Sequence, residues 1–153
     1  MASGSSMPRS SRGDLRQPVP SRDNAVQPKR ILIVDDEPLV AELLTEMLTQ
    51  SDRGYTVQAA FTAPDALVAL SRDRPDVILL DINMPGMNGL EALRLIKHLH
   101  PAIPILMVTA AHYSAAAEAL AHGALAYIPK PFTIHYINHL VASALATQSP
   151  RRQ

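Results

Sequence analysis

The sequence predicts a single α/β domain built on a five-stranded parallel sheet with helices on both faces. Five short apolar segments alternate along the chain with five segments of helical periodicity, which is typical of repeated strand–helix units. Three of the apolar segments are continuously aliphatic, as strands buried on both faces require. The 153 residues include no cysteine and no apolar run long enough to span a membrane, so we expect one soluble, cytoplasmic domain without disulfides.

The first strand is the aliphatic run ILIVD at residues 31–35, and the second is YTVQAA at residues 55–60. Residues 37–50 between them form the first predicted helix. Its apolar residues recur at helical spacing: Val40, Leu43, Leu44, Met47 and Leu48. The second helix covers residues 63–73 and has Pro64 in its first turn, where a missing N–H does little harm.

The third strand is DVILLD at residues 76–81, and the fourth is IPILMVT at residues 103–109. A helix over residues 88–100 connects them and is halted by Pro101. Its apolar residues lie on one face: Leu90, Leu93, Ile96 and Leu99.

A fourth helix over residues 112–123 ends at Gly123, and residues 124–128 (ALAYI) form the fifth strand. The last helix covers residues 133–147 and is predicted to face inward through Ile134, Ile137, Val141 and Leu145. Right-handed crossovers leave few possible topologies for five such units. We expect the flavodoxin-like, doubly wound (βα)5 arrangement with strand order 2-1-3-4-5.

The terminal segments differ in composition from the predicted domain at residues 31–147. Residues 1–30 are rich in Ser, Pro and Arg and are predicted to be a disordered tail or linker, whose first residues (MASGSS) resemble a cloning remnant. Residues 148–153 form a short tail. From Ile31 onward the chain carries twelve of the 14 acids but eight of the 14 bases, so we expect an acidic domain that does not bind nucleic acid directly.

The residues that end the predicted strands are the candidates for a functional site. Asp35 and Asp36 end strand one, Asp81 ends strand three, Thr109 ends strand four, and Lys130 follows strand five. Ligands of such sheets bind at the carboxyl ends of the strands, where these side chains converge.

Taken singly, these residues have ordinary interpretations. Asp36 is a common helix cap, and Asp81 could start a turn by bonding its own backbone. Their convergence favours a cation, because clustered carboxylates repel one another, and an oxygen-only cluster suits Mg²⁺. A metal, a carboxylate nucleophile, the Lys130 ammonium and the Thr109 hydroxyl would together support phosphoryl transfer onto an aspartate.

Four motifs carry a resemblance to a known family: VDDEP, DVILLDINMPGMNGLEAL, PILMVTA and YIPKPF. In this order and spacing they resemble a bacterial response-regulator receiver domain of the single-domain, chemotaxis-regulator type. The resemblance implies that Asp81 is the phosphoacceptor and that Asp35, Asp36 and Asp81 hold Mg²⁺. The backbone carbonyl of Asn83 would complete the metal site.

The resemblance also implies a conformational switch. Thr109 and Lys130 would contact the phosphoryl oxygens, Tyr127 would rotate on activation, and the Lys130–Pro131 bond would be cis. The helix at 112–122, strand five and the last helix would then present a surface to a downstream protein. Ala111, two residues past Thr109, offers no polar side chain to position an attacking water.

The expected phosphodonor is a sensor histidine kinase or a histidine phosphotransfer protein. The protein would be a signalling phosphoacceptor rather than an enzyme, would assist its own phosphorylation and dephosphorylation, and would be a monomer or weak dimer without membrane contact. Only QSPRRQ follows the domain, so output is expected through a partner protein. Two alternatives are a phosphatase with an aspartate nucleophile, which the adjacent Asp35 and Asp36 do not fit, and an adaptor that is never phosphorylated.

Overall fold

A computed structural model describes residues 27–110 and 113–147 of the chain. Residues 1–26 of the N-terminal tail predicted at 1–30 lie outside the described residues, as do the short tail at 148–153 and Ala111. Five strands and five helices alternate in the described part: β1 Arg30–Val34, α1 Pro38–Thr49, β2 Thr56–Ala60, α2 Ala63–Arg72, β3 Val77–Leu80, α3 Gly89–Leu99, β4 Ile105–Thr109, α4 Tyr113–Ala121, β5 Ala126–Pro129 and α5 Ile134–Ala146. None of these helices is long and apolar enough to cross a membrane.

The strands form one parallel sheet in the order β2-β1-β3-β4-β5, which confirms the predicted doubly wound topology. β1 begins one residue earlier than expected, at Arg30, which the sequence assigned to the tail. The Arg30 N–H donates to the Asp76 carboxylate at 2.7 Å, and the Arg30 carbonyl accepts from the Asp76 N–H at 2.7 Å. These two bonds extend the strand to Arg30.

The core consists of two apolar layers, one on each face of the sheet. In β1 the side chains alternate, so that Leu32 and Val34 join the layer under α2, α3 and α4, whereas Ile31 and Ile33 join the layer under α1 and α5. β1, β3 and β4 contribute to both layers and are almost completely buried. The three aliphatic segments of the sequence therefore correspond to the central strands β1, β3 and β4.

Three helices begin at side-chain caps that the sequence provides. Thr62, Asn88 and Thr133 each accept the backbone N–H of the third residue that follows, at 3.1, 2.9 and 3.2 Å. These caps fix where α2, α3 and α5 start, and hence where the loops after β2, β3 and β5 end.

Three residues of the predicted apolar helix patterns are exposed: Leu43, Leu99 and Ile134, of which Ile134 was expected to face inward. In α1 the buried residues are Ala41, Leu44 and Leu48. The face of α1 that contacts the sheet is therefore narrower than the set of apolar residues in the helix, and Leu43 lies outside it. Leu99 is the last residue of α3, and Ile134 is the first residue of α5. Both residues lie at helix ends, where helical geometry is less regular and periodicity alone overestimates burial.

Candidate functional site

The candidate site lies at the carboxyl edge of the sheet, where four neighbouring strands end. Asp35 follows β1, Asp81 follows β3, Thr109 is the last residue of β4, and Lys130 follows β5. Asp35, Asp81 and Thr109 are each at most 2 % exposed. The structure thus brings together side chains that are far apart in the sequence, as predicted.

The Lys130 ammonium group lies between two buried carboxylates. Its Nζ is 3.0 Å from Asp35 Oδ2 and 3.4 Å from Asp81 Oδ2, and it is 3.7 Å from Glu37 Oε1 at the solvent side. The Lys130–Pro131 peptide bond is cis, which confirms the expectation drawn from the resemblance. The Lys130 N–H donates to the Thr109 carbonyl at 3.0 Å, so β5 is anchored to β4 beside the site.

The second oxygen of each aspartate is held by the backbone. Asp35 Oδ1 accepts the Glu37 N–H at 2.9 Å, and Asp81 Oδ1 accepts the Asn83 N–H at 3.1 Å. Asp81 therefore does make the ordinary turn contact that its position suggested. Because that contact uses Oδ1, Oδ2 remains directed at Lys130, and both aspartates have fixed orientations.

Burial and charge act in opposite directions on the two central groups. Burial raises the pKa of Asp81, and the nearby Asp35 charge raises it further, against the opposing effects of Lys130 and the Asn83 N–H. For Lys130, burial alone would lower the pKa, but the hydrogen bond to Asp35 and the charges of Asp81, Asp35 and Glu37 outweigh it and raise the pKa. The single positive charge of Lys130 does not neutralise the negative charges of the three carboxylates around it.

Four carboxylates can share one cation at this edge. Asp35, Asp36, Glu37 and Asp81 each offer an oxygen, and these oxygens all lie within 4.8 Å of one another. A compact set of oxygen donors that is partly open to solvent suits Mg²⁺, which retains several waters. Glu37 belongs to this cluster although the sequence did not assign it a role; its adjacency to Asp36 was the only signal.

Asp36 does not act as the helix cap that its position suggested. The residue before α1 is Glu37, and the Glu37 side chain makes no capping hydrogen bond. The first turn of α1 instead begins with Pro38, which has no N–H to satisfy. Neither acid is needed to start α1, so their position fits cation binding better than capping.

Gly89 is a structural requirement of the site that the sequence analysis missed. A Cβ added at Gly89 would lie 2.0 Å from the Asp81 carbonyl oxygen and 2.5 Å from the Ile82 Cα. The Gly89 N–H also donates to the Ile82 carbonyl at 2.7 Å. The start of α3 is therefore packed directly against the backbone that carries Asp81, and a side chain there would displace it.

The two residues expected to act as a switch lie on adjacent strands. Thr109 ends β4, and Tyr127 pairs with Met107 in the ladder between β4 and β5. Tyr127 is half-buried and packs against the apolar layer under α2, α3 and α4. Of the helix predicted at 112–122, the structure describes α4 from Tyr113; His112 lies outside the described residues.

Comparisons with known proteins agree with this geometry. The family model described as "Response regulator receiver domain" matches residues 31–142. The chain is 35 % identical over 129 residues to the DNA-binding transcriptional regulator NtrC of Proteus hauseri, covering 84 % of this chain and 27 % of the relative. It therefore spans about a quarter of the length of that relative.

Solved structures with the same fold include proteins of similar size. The receiver domain of NtrX from Brucella abortus has a TM-score of 0.73 and 34 % identity, covering 77 % of this chain and 99 % of that one. A CheY-like receiver domain protein from Methanospirillum hungatei has a TM-score of 0.73 and 32 % identity, covering 78 % and 95 %.

Proposed function

Because the chain belongs to the response regulator receiver domain family of two-component signalling, we propose that Asp81 is its phosphoacceptor. One observation carries this proposal: the Lys130 ammonium group bridges Asp35 and Asp81 inside a cluster of four carboxylates. A buried carboxylate beside a fixed cation, at the end of a central strand, can act as an oriented nucleophile.

We propose that Asp35, Asp36 and Asp81 hold Mg²⁺, with the Asn83 backbone carbonyl as a further ligand. The donors are all oxygens, and their charge exceeds what Lys130 neutralises. When bound, Mg²⁺ would offset the negative charge of the carboxylates and of an incoming phosphoryl group. Glu37, which is largely exposed, would reach the cation through water.

In the proposed reaction an Asp81 oxygen forms a bond to phosphorus while the bond between phosphorus and the donor histidine nitrogen breaks. Lys130 and Thr109 would donate hydrogen bonds to the phosphoryl oxygens and stabilise their charge. The Asn83 N–H holds the other Asp81 oxygen, so the attacking oxygen is presented in one orientation. The same groups would assist the later hydrolysis of the aspartyl phosphate.

The proposed phosphodonor is a sensor histidine kinase or a histidine phosphotransfer protein, acting in the cytoplasm. The proposed output is a change in the surface formed by α4, β5 and α5, read by a downstream protein. Thr109 would be drawn towards the phosphoryl group, and Tyr127 would turn into the space that Thr109 leaves. The half-buried position of Tyr127 on the strand next to Thr109 supports this.

Incubation with acetyl phosphate and Mg²⁺, followed by intact mass, tests the proposal. The native chain should gain one phosphoryl group, and a chelator should prevent the gain. Asp81→Asn should gain none, whereas Asp52→Asn, an exposed control outside the site, should behave as the native chain. Full labelling of Asp81→Asn would refute the assignment, and an unlabelled native chain would favour an adaptor that is never phosphorylated.

A further inference from the structure

The two edge strands of the sheet differ in how they are protected from further pairing. β5 is four residues long, ends in Pro129 and is followed by the cis Lys130–Pro131 bond. β2 has the sequence TVQAA, without proline, glycine or charge, and pairs in the described structure with β1 alone. Natural edge strands are usually protected by such residues, so β2 is the edge that can accept another strand.

The hydrogen bonds at the two ends of β2 show which backbone groups face outward. The Thr56 N–H donates to the Lys29 carbonyl at 2.9 Å, and the Ala60 carbonyl accepts the Asp35 N–H at 3.1 Å. Backbone groups of alternate residues point to opposite sides of a strand. The N–H and C=O groups of Val57 and Ala59 therefore lie at the open edge.

Helix α2 lies beside this edge and presents a stripe of three residues with distinct chemistry. Asp65, Val68 and Arg72 are spaced by three and four residues, so they lie on one face. They line a cavity of about 220 Å³ together with residues 58–61. Val68 is 49 % exposed, and no ion pair of Asp65 or Arg72 occurs within residues 27–110 and 113–147.

The surface formed by β2 and α2 is complementary to the same surface on a second copy of the chain. Gln58 is the middle residue of β2, and Val68 lies next to the middle of α2, with an acid on one side and a base on the other. A two-fold axis near Gln58 would pair Val57 of one copy with Ala59 of the other, and Asp65 with Arg72. Val68 would meet its own counterpart between the two ion pairs.

We propose that β2 and α2 form the interface of a weak symmetric dimer of this chain. The two β2 strands would run antiparallel and join the two sheets into one, and the two α2 helices would pack beside the junction. The partner is a second copy of this chain. When two α2 helices lie antiparallel, Asp65 of each copy faces Arg72 of the other, and Val68 faces Val68. The carboxyl edge that carries Asp81 stays open in this dimer, so the inference does not depend on the proposed function.

Charge reversal on α2 tests the proposal with the full chain, by sedimentation equilibrium up to millimolar protein. Asp65→Arg and Arg72→Asp should each weaken self-association by about tenfold or more, because like charges then face each other. The two single variants, when mixed, should form a heterodimer, and the double variant should recover self-association. Glu91→Arg is the matched control, since Glu91 is also the third residue of a capped helix, α3; it should change the dissociation constant less than about twofold.

Hydrogen exchange tests the strand pairing itself. The Val57 and Ala59 amides should gain protection as the protein concentration rises, whereas the Thr56, Gln58 and Ala60 amides, which face β1, should not change. A chain that stays monomeric at every concentration would overturn the proposal, as would a dimer that Asp65→Arg leaves intact. Protection of Val57 and Ala59 that is independent of concentration would also overturn it and would point to pairing within one chain.

Discussion

Strand β3 passes from one kind of environment to another within two residues. Leu80 is completely buried among aliphatic side chains, and Asp81, the next residue, is 2 % exposed but lies beside Asp35 and Lys130. Burial of Leu80 removes apolar surface from water and stabilises the fold. Burial of Asp81 raises its pKa and disfavours its charged form. The apolar layers therefore stabilise the fold, whereas the burial of charge at the carboxyl edge is expected to lower its stability.

Truncation in an apolar layer should have the largest effect. Leu79 lies in β3, is 1 % exposed and packs in the layer under α1 and α5. Leu79→Ala should lower the free energy of unfolding by about 3 kcal/mol, from lost burial and the cavity left behind. Urea denaturation measures this. Leu39→Ala, at a position 79 % exposed, is the control and should change stability by less than about 0.5 kcal/mol. Equal losses in the two variants would contradict the core assignment.

A side chain at Gly89 should both lower the stability of the fold and disturb the carboxyl edge that carries Asp81. Gly89→Ala should lower the free energy of unfolding by about 2 kcal/mol, because the new Cβ overlaps the Asp81 carbonyl. It should also slow phosphorylation by acetyl phosphate, since the backbone that carries Asp81 must shift.

Gly54→Ala separates these two effects. Gly54 has a φ of 63° and open space around it, so alanine there should be destabilising through backbone strain alone. Its phosphorylation rate should remain that of the native chain. A Gly89→Ala variant with a native phosphorylation rate would show that the close contact has no functional role.

Unlike the substitutions at Leu79 and Gly89, neutralisation of Asp81 should increase the stability of the fold. In chelator, Asp81→Asn should raise the free energy of unfolding by about 1 kcal/mol, because it removes a desolvated charge next to Asp35 but keeps the side-chain shape and the Asn83 contact. Asp76→Asn is a control at another buried aspartate, whose carboxylate accepts the Arg30 N–H outside the cluster. It should not be stabilising. A destabilised Asp81→Asn would mean that the contact with Lys130 outweighs the repulsion.

Substitution of Tyr55 should give the smallest change in the free energy of unfolding, because Tyr55 is a buried polar residue that carries no charge at neutral pH. Its hydroxyl makes no hydrogen bond within the described residues, and burial raises its pKa above 10.0. Because the Tyr55 hydroxyl stays protonated to a higher pH in the folded state than in the unfolded state, the free energy of unfolding should fall as the pH rises through 10. Tyr55→Phe should change stability at pH 7 by less than about 0.5 kcal/mol and should flatten this alkaline decline. The exposed Tyr136→Phe should leave the decline unchanged.

The sequence was sufficient to predict the fold and which side chains meet at the carboxyl edge of the sheet, for the same physical reason. A parallel sheet brings the carboxyl ends of its strands together, so residues that end apolar runs, such as Asp35, Asp81 and Lys130, could be grouped without coordinates. Gly89 could not be assigned, because its role depends on a close approach between the start of α3 and the Asp81 backbone. The exposure of Leu43 likewise depends on how α1 is rotated against the sheet.

The stability of Asp36→Ala in chelator and in Mg²⁺ tests the central claim most directly. A repelling pair of charges in a wet site costs about 1 kcal/mol, so in chelator the variant should unfold at a higher denaturant concentration than the native chain. A ligand that binds only the folded state stabilises that state. Saturating Mg²⁺ should therefore stabilise the native chain strongly and the variant little, so that their order is reversed. If both proteins respond equally to Mg²⁺, or if the native chain is already the more stable one in chelator, the acidic edge is not a cation site that lowers the stability of the fold.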